Sequence, residues 1–466
     1  MFVFFMQKRY KSLLSDTIIF GIGTLGSKIL LFLLVPLYTT YLNTEEYGTA
    51  DLVITIGQML LPLVSLTIYD AILPFGLDKT IKKENVFKGS LYVFLVGIAV
   101  LLVLLPLSYF YKAIYPWKWY VYSFVVVSFA NILLLNYLKV CDKNKLYAAI
   151  AILNAALLVI FNLLFLKYLR LGVEGYLLSS ILSIAICDVV AVIFGKLIGE
   201  IRKGKLDQKL LKSMISYSIP LIANAISWWV IQSSNKVLIQ ILGSTALLGL
   251  FTVAAKIPSL INIVTTIFNQ AWGISAIKEY SSKEESSFYS SVFRKYIIVI
   301  FLACIFIVMI LKPFMKVYVS EEFYISWKIV PLLLMGACYS AISSFCVALY
   351  GTVRKSKEIM ITTIIACAVN IVVNLIFIPL IGAYGAALGV LFSYMAISYM
   401  RMKDVRKIID IDYSFGLFVP LSLLVMIQCV LATLDIEIYW VSTIVMIIAL
   451  ALSYKDLKGI IVSIQK

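Results

Sequence analysis

Lys28, Lys236 and Lys256 each lie within a stretch otherwise long and apolar enough to cross a bilayer. A lysine at mid-membrane costs about 2.5–3.5 kcal/mol on insertion scales, so an intramembrane cation ordinarily faces a wet interior and has a task there. Several such cations with few intramembrane acids point to a negatively charged ligand. Gly21, Thr24 and Lys28 fall at i, i+3, i+7, one narrow stripe of a helix. Gly249, Thr252 and Lys256 repeat that spacing, and Ser259 extends it. Asp51, Thr55, Gln58, Pro62, Ser65 and Tyr69 run down a single helical face. A continuous polar stripe is costly against lipid, which assigns these faces to an aqueous central cavity. Serine and threonine alone also serve as interhelical glue, so the lysines carry the argument for a cavity.

Lys236 sits toward the outer end of its span, where a lysine also snorkels to the interface as an anchor. Its neighbours Trp228, Trp229, Gln232 and Asn235 suit a sugar, and interfacial Trp suits anchoring equally. Asp51 and Asp70 flank one span and Asp188 lies inside another; each is placed to pair a lysine or carry a coupling ion. Asn370 and Asn374, at i, i+4, suit Na⁺ coordination or interhelical hydrogen bonding. Asp70, Asp188, Asn370 and Asn374 are thus the ion-coupling candidates, Na⁺ or H⁺ being the coupling ion, and no resident cofactor or metal is expected.

The elements that position these residues are bilayer-spanning helices. Of 466 residues, 62% are hydrophobic and 14% charged, against about 25% charged in soluble domains. The apolar residues come in blocks long enough to span: 17–40, 49–75, 89–111, 118–140, 146–168, 173–198, 215–240, 246–272, 295–315, 326–350, 359–381, 383–400, 414–434 and 438–454. The expected fold is all-α and integral to the membrane, with about fourteen transmembrane helices.

The net charge of +16 would suggest nucleic acid in a soluble chain. Here its placement decides. Alternate connections, beginning with the N-terminus and ending with the C-terminus, hold 30 Lys and Arg, the opposite set 7. That alternation is a positive-inside signal placing both termini in the cytoplasm, and it removes nucleic acid as a partner. No connection is longer than that at 273–295, so no soluble catalytic domain fits between spans. The seven cysteines have no metal-site spacing and read as small buried residues. Histidine is absent, which removes a His-based proton relay. The N-terminal apolar run precedes its basic cluster, the reverse of a signal peptide.

The chain repeats itself. Asp142-Lys-Asn-Lys145, then Asn162, then Gly172-Val-Glu-Gly175 match Arg354-Lys-Ser-Lys357, then Asn374, then Gly382-Ala-Tyr-Gly385. Asn43-Thr-Glu-Glu-Tyr-Gly48 is echoed by Ser244-Thr-Ala-Leu-Leu-Gly249. Two six-helix lobes of like orientation follow, 1–200 and 213–405, joined by a basic cytoplasmic linker, 201–212, with two extra helices in 406–466. Pro36, Pro62, Pro220 and Pro258 mark bendable points in the lobe-leading spans.

Ser15-Asp-Thr-Ile-Ile-Phe-Gly-Ile-Gly-Thr24, Pro36-Leu-Tyr38 through Glu46-Tyr-Gly48 to Asp51-Leu52, and Gly249-Leu-Phe-Thr-Val-Ala-Ala-Lys256 resemble the Wzx-type polysaccharide flippases. Gln270-Ala-Trp272 and Asn374 with Gly382-Ala-Tyr-Gly385-Ala-Ala387 fit as well. These flippases belong to the MATE-like multidrug/oligosaccharidyl-lipid/polysaccharide exporter superfamily, whose layout of six, six and two helices matches. Where such proteins often carry an acidic-basic pair in span seven, this chain has Asn235-Lys236. The resemblance implies a cargo of oligosaccharide repeat units on undecaprenyl diphosphate, flipped from the inner to the outer leaflet of the bacterial cytoplasmic membrane. It also implies membrane lipids, a polymerase and glycosyltransferases as partners. Lys28 and Lys256, with Lys236, then become candidate diphosphate ligands, and Thr24, Asp51, Thr55, Gln58, Thr252 and Ser259 the polar cavity lining. The alternatives are a cation-coupled drug exporter, which would want an acidic cavity, and a membrane enzyme such as a polysaccharide polymerase, which would want a long loop.

Overall fold

The computed structural model describes residue 30 and residues 32–279, 285–352, 356–436 and 438–464. Contacts divide the chain into Met1–Trp229 and Val230–Lys466. The division falls C-terminal of the expected linker at 201–212, inside a helix.

The first unit contains α1 (Val35–Tyr41), α2 (Thr44–Ser65), α3 (Ile68–Gly76), α4 (Lys83–Leu104), α5 (Lys118–Val140), α6 (Asn144–Asn162), α7 (Gly172–Phe194) and α8 (Leu197–Lys203). Helix α9 (Gln208–Leu242) runs across the division. The second unit continues with α10 (Thr245–Ala254), α11 (Ser259–Glu279), α12 (Glu285–Tyr318), α13 (Val330–Thr352), α14 (Ser356–Ile381), α15 (Ala383–Arg406), α16 (Phe415–Thr433) and α17 (Ile438–Ile464). No strand occurs among the described residues. Among the described residues eleven helices are long and apolar enough to span a membrane, or up to 13 if each of two bent pairs counts as one span. The chain is therefore an all-α, multi-pass membrane protein. The described residues do not reach the expected fourteen. Most of the span expected at 17–40 lies outside them, and Gly21, Thr24 and Lys28 with it.

Three expected spans differ in form. The one expected at 49–75 is two helices, α2 and α3, separated at Leu66 and Thr67, whose φ angles are 50° and 48°. The one expected at 246–272 is α10 and α11, bent by 47°. The one expected to end at 400 continues to Arg406, because Met402 and Val405 extend the buried face that Ile397 and Ser398 began.

The internal repeat has a local physical meaning. Asn43 accepts the Glu46 amide at 2.8 Å while the Glu46 carboxylate accepts the Asn43 amide at 3.0 Å, a capping box that starts α2. At the echoed position, the Ser244 hydroxyl accepts the Leu247 amide at 3.2 Å and starts α10. Gly172 and Gly382, the other matched pair, have φ of +57° and +59° where the chain turns into α7 and α15, a conformation open mainly to glycine. Gly385 then lets α15 press on α14, since a β-carbon there would stand 2.3 Å from the Phe377 carbonyl carbon.

Stacked aromatics fill the core of each unit. The rings of Phe87 and Tyr137 lie 4.0 Å apart in the first. In the second, Trp272 stacks on Phe345 at 4.5 Å and donates its indole N–H to the Phe345 carbonyl at 3.1 Å.

Candidate functional site

Lys256 occupies the break between α10 and α11. Pro258 causes that break: it has no N–H for the carbonyl of Ala254, and it biases Ile257 away from helical geometry. The turn closes instead through Lys256 N–H to Val253 O at 3.0 Å and Ile257 N–H to Ala254 O at 3.4 Å. The Lys256 carbonyl accepts both the Ser259 amide and the Ser259 hydroxyl, which seats the first residue of α11. Thr252 is buried on α10, while Lys256 and Ser259 are half-buried. The expected stripe is therefore interrupted. Gly249 and Thr252 share α10, Lys256 lies past its end, and Ser259 opens the next helix. The Ser259, Leu260 and Asn262 amides are paired within this turn, to Lys256 O, Ile257 O and Pro258 O, so the break offers an anion the Lys256 charge together with the positive end of the α11 dipole. Discontinuous helices of transporters meet anionic groups in this way.

The first unit has its own broken span, with opposite electrostatics. Pro62 leaves Gln58 O without its helical donor. The Thr67 amide donates to the Ser65 hydroxyl at 3.1 Å, and the Thr67 hydroxyl donates to Ser218 O at 2.9 Å. Asp70 stands in the first turn of α3, exposed, where its charge complements that helix's own N-terminus. Asp51 and Thr55 are buried on α2, whereas Gln58 is exposed. Tyr69 lies beyond the break, so the single polar face expected from Asp51 to Tyr69 is divided between α2 and α3. Asp188, half-buried on α7, accepts from the Asn131 amide of α5 at 2.8 Å.

A second constellation joins α9 to α14. Asn374 donates one amide hydrogen to the Asn235 carbonyl and the other to the Asn370 carbonyl, the latter at 2.9 Å. The Ser234 hydroxyl donates to the same Asn370 oxygen at 3.2 Å. All four side chains are buried, and two atoms in the cluster, Asn370 Nδ2 and Asn374 Oδ1, have no hydrogen-bond partner. Lys236 follows Asn235 on α9 and is half-buried. Nearby on that helix Trp228 is exposed, and the Trp229 indole is engaged by Thr55 O at 3.1 Å. The pairing of Asn370 with Asn374 at i, i+4 was visible in the chain. Their partners on α9, more than a hundred residues earlier, carry no local signal.

One buried cation escaped sequence reasoning, which placed Arg401 in a cytoplasmic connection. It is 3% exposed on α15. Its guanidinium donates to Ser343 Oγ at 2.7 Å, Thr363 Oγ1 at 2.9 Å, Thr362 Oγ1 at 3.2 Å and Ile359 O at 3.4 Å. The signal available was the apolar face continuing past residue 400 and the paired threonines 362 and 363. Its partners are neutral hydroxyls and one carbonyl, so the ion is solvated by α13 and α14 in place of water. Among the described residues no group of three or more His, Cys, Asp or Glu side chains is arranged to hold a metal ion.

The family model described as "Polysaccharide biosynthesis protein" matches residues 13–273. No curated protein sequence matches the chain. Among solved structures, the lipid II flippase MurJ in an inward closed conformation is similar with a TM-score of 0.68 and 17% identity, over 94% of this chain and 99% of that one. An inward-facing MATE family multidrug resistance transporter of the MOP superfamily is similar with a TM-score of 0.66 and 14% identity, over 84% and 96%. A MATE transporter bound to MaD5 is similar with a TM-score of 0.56 and 16% identity, over 84% and 95%. The fold is that of MATE-like flippases and exporters, as the resemblance in the sequence implied.

Proposed function

We propose that this chain, which belongs to the polysaccharide biosynthesis protein family, flips oligosaccharide repeat units linked to undecaprenyl diphosphate. The movement is from the inner to the outer leaflet of the bacterial cytoplasmic membrane, by alternating access, for assembly of a surface polysaccharide such as O-antigen, capsule or exopolysaccharide. Both termini face the cytoplasm in this reading, and a polymerase and glycosyltransferases act beside it. The observation that carries it is Lys256 at the break between α10 and α11, three residues before the first residue of α11. A diphosphate would find there a point charge near the positive end of the α11 dipole. A cationic drug would meet repulsion at the same place. An inside-negative potential favours outward movement of the anion by about 2.3 kcal/mol per charge per 100 mV.

The coupling ion is read from the cluster of Ser234, Asn235, Asn370 and Asn374. Turning the Asn374 amide over would present its oxygen, now without a partner, beside those of Asn235 and Asn370. Neutral oxygen donors suit a monovalent hard cation such as Na⁺, and the ion would supply a charge that ties α9 to α14.

The test is flipping of a lipid-linked oligosaccharide in proteoliposomes. Lys256→Ala is expected to weaken cargo binding on the order of ten- to a hundredfold, the weight of a charge-assisted hydrogen bond, and Lys256→Arg to retain part of it. Wild-type vesicles that export cationic dye and leave the lipid-linked oligosaccharide in place would establish the exporter reading instead.

A further inference from the structure

A groove in the second unit, with a volume of about 440 Å³, lies against the last three turns of α15. Its walls are Tyr339, Met395, Tyr399, Met402, Phe415 and Phe418, and at one end stand Lys403 and Arg406. Two polar groups of its lining are already engaged, while the Tyr413 hydroxyl is buried without a hydrogen-bond partner. The Ser398 hydroxyl donates to Tyr339 O at 2.6 Å, and the Tyr339 hydroxyl shares a 2.6 Å hydrogen bond with Ser422. Lys407, the neighbouring cation, is paired with Asp404 at 3.2 Å. Lys403 and Arg406 are exposed and have no ion-pair partner among the described residues. The groove thus has one doubly cationic end and an apolar remainder.

Its length identifies the occupant. From Met395 to Arg406 the helix rises about 16 Å at its ordinary pitch, close to the depth of one leaflet's hydrocarbon, half of roughly 30 Å. The cationic end lies on the face that the Lys and Arg distribution assigns to the cytoplasm. A soluble anion would use the two cations and leave the aromatic walls empty. A zwitterionic lipid would bring its own cation against them.

We propose that this groove binds one anionic glycerophospholipid of the cytoplasmic leaflet, its phosphate held between Lys403 and Arg406 and an acyl chain laid along Met395, Met402 and Phe418. Basic pockets between membrane helices recognise lipid phosphate in this manner, with the guanidinium as a fork and the ammonium as a point charge. The site is separate from Lys256 and from the amide cluster, and it makes the joint between α15 and α16 sensitive to leaflet composition.

Native mass spectrometry of the full chain, with phosphatidylglycerol and phosphatidylcholine as probes, tests this. Wild type is expected to retain phosphatidylglycerol over phosphatidylcholine. The double variant Lys403→Gln, Arg406→Gln is expected to lose about thirtyfold in phosphatidylglycerol affinity, from roughly 1 kcal/mol for each cation. Lys403→Arg with Arg406→Lys should retain it. Fluorescence of Phe415→Trp should be quenched by phosphatidylglycerol brominated along its acyl chains, and only while both cations are present. Unchanged phosphatidylglycerol binding in the double Gln variant would overturn the proposal. So would displacement of the lipid by equimolar inorganic phosphate, which would make the site one for soluble anions. Preferential displacement by undecaprenyl phosphate would overturn it in favour of the carrier.

Discussion

Gly389 of α15 lies directly against Asn374 of α14: a β-carbon on Gly389 would stand 2.1 Å from Asn374 Oδ1. The amide cluster therefore depends on the absence of a side chain on the neighbouring helix. Gly389→Ala is expected to push Asn374 from Asn235 and destabilise the protein by about 1–3 kcal/mol. Gly416→Ala, where a β-carbon meets nothing within 4 Å, should be neutral or slightly stabilising. Thermal unfolding of the two variants in detergent checks the contrast, and equal midpoints would refute it.

Pro258→Ala returns a backbone donor to the carbonyl of Ala254 and removes the cause of the bend between α10 and α11. The thermal midpoint should rise while flipping falls severalfold, because Lys256 would be drawn onto a continuous helix. A variant that flips at the wild-type rate would separate the bend from transport.

Arg401→Ala opens a void beside Ser343, Thr362 and Thr363; the two threonines keep their own-helix carbonyls, while Ser343 loses its partner. A stranded buried group costs about 1–3 kcal/mol and the lost packing adds to it, so expression and thermal stability should fall. Arg401→Met combined with Ser343→Ala, Thr362→Val and Thr363→Val should recover much of the loss, since removing all partners together strands none. Failure of the combined variant to exceed Arg401→Met alone would show that the charge is needed in its own right.

Asp435 lies outside the spans, in the turn between α16 and α17. Lys312 at 2.6 Å, and then Lys328 at 3.3 Å, hold its carboxyl below the usual range. A depressed folded-state pKa contributes stability that is present above the unfolded value of about 3.9 and lost as pH falls through the folded value. The difference in thermal midpoint between wild type and Asp435→Asn should be constant from about pH 8 to 5 and shrink below pH 4. It should also shrink with salt, because the pair is partly exposed.

The membrane class was legible in the chain because it is local, whereas the matched helix caps showed only as a repeat, with the span expected to begin at 49 and not at Thr44. Span length follows from runs of apolar residues, and Asn43, Ser244, Gly172 and Gly382 act on the backbone within a few positions of themselves. The breaks were half legible. Pro62 and Pro258 announced bending, yet Leu66 and Thr67, ordinary residues by type, take the left-handed conformation. That conformation is held by a Ser65 hydroxyl and by a carbonyl on α9. Arg401 has the sequence signature of a loop cation, because basic residues at span ends usually belong to the connections. Its burial depends on hydroxyls from two other helices, which no window along the chain contains.

The order of those helices also bears on how the protein is made. Ser343, Ile359, Thr362 and Thr363 all precede Arg401 in the chain. A polypeptide inserted from its N-terminus has therefore delivered every acceptor to the bilayer before the guanidinium emerges. The charge therefore arrives after all its acceptors, and α15, which packs on both α13 and α14, is the helix that draws them together.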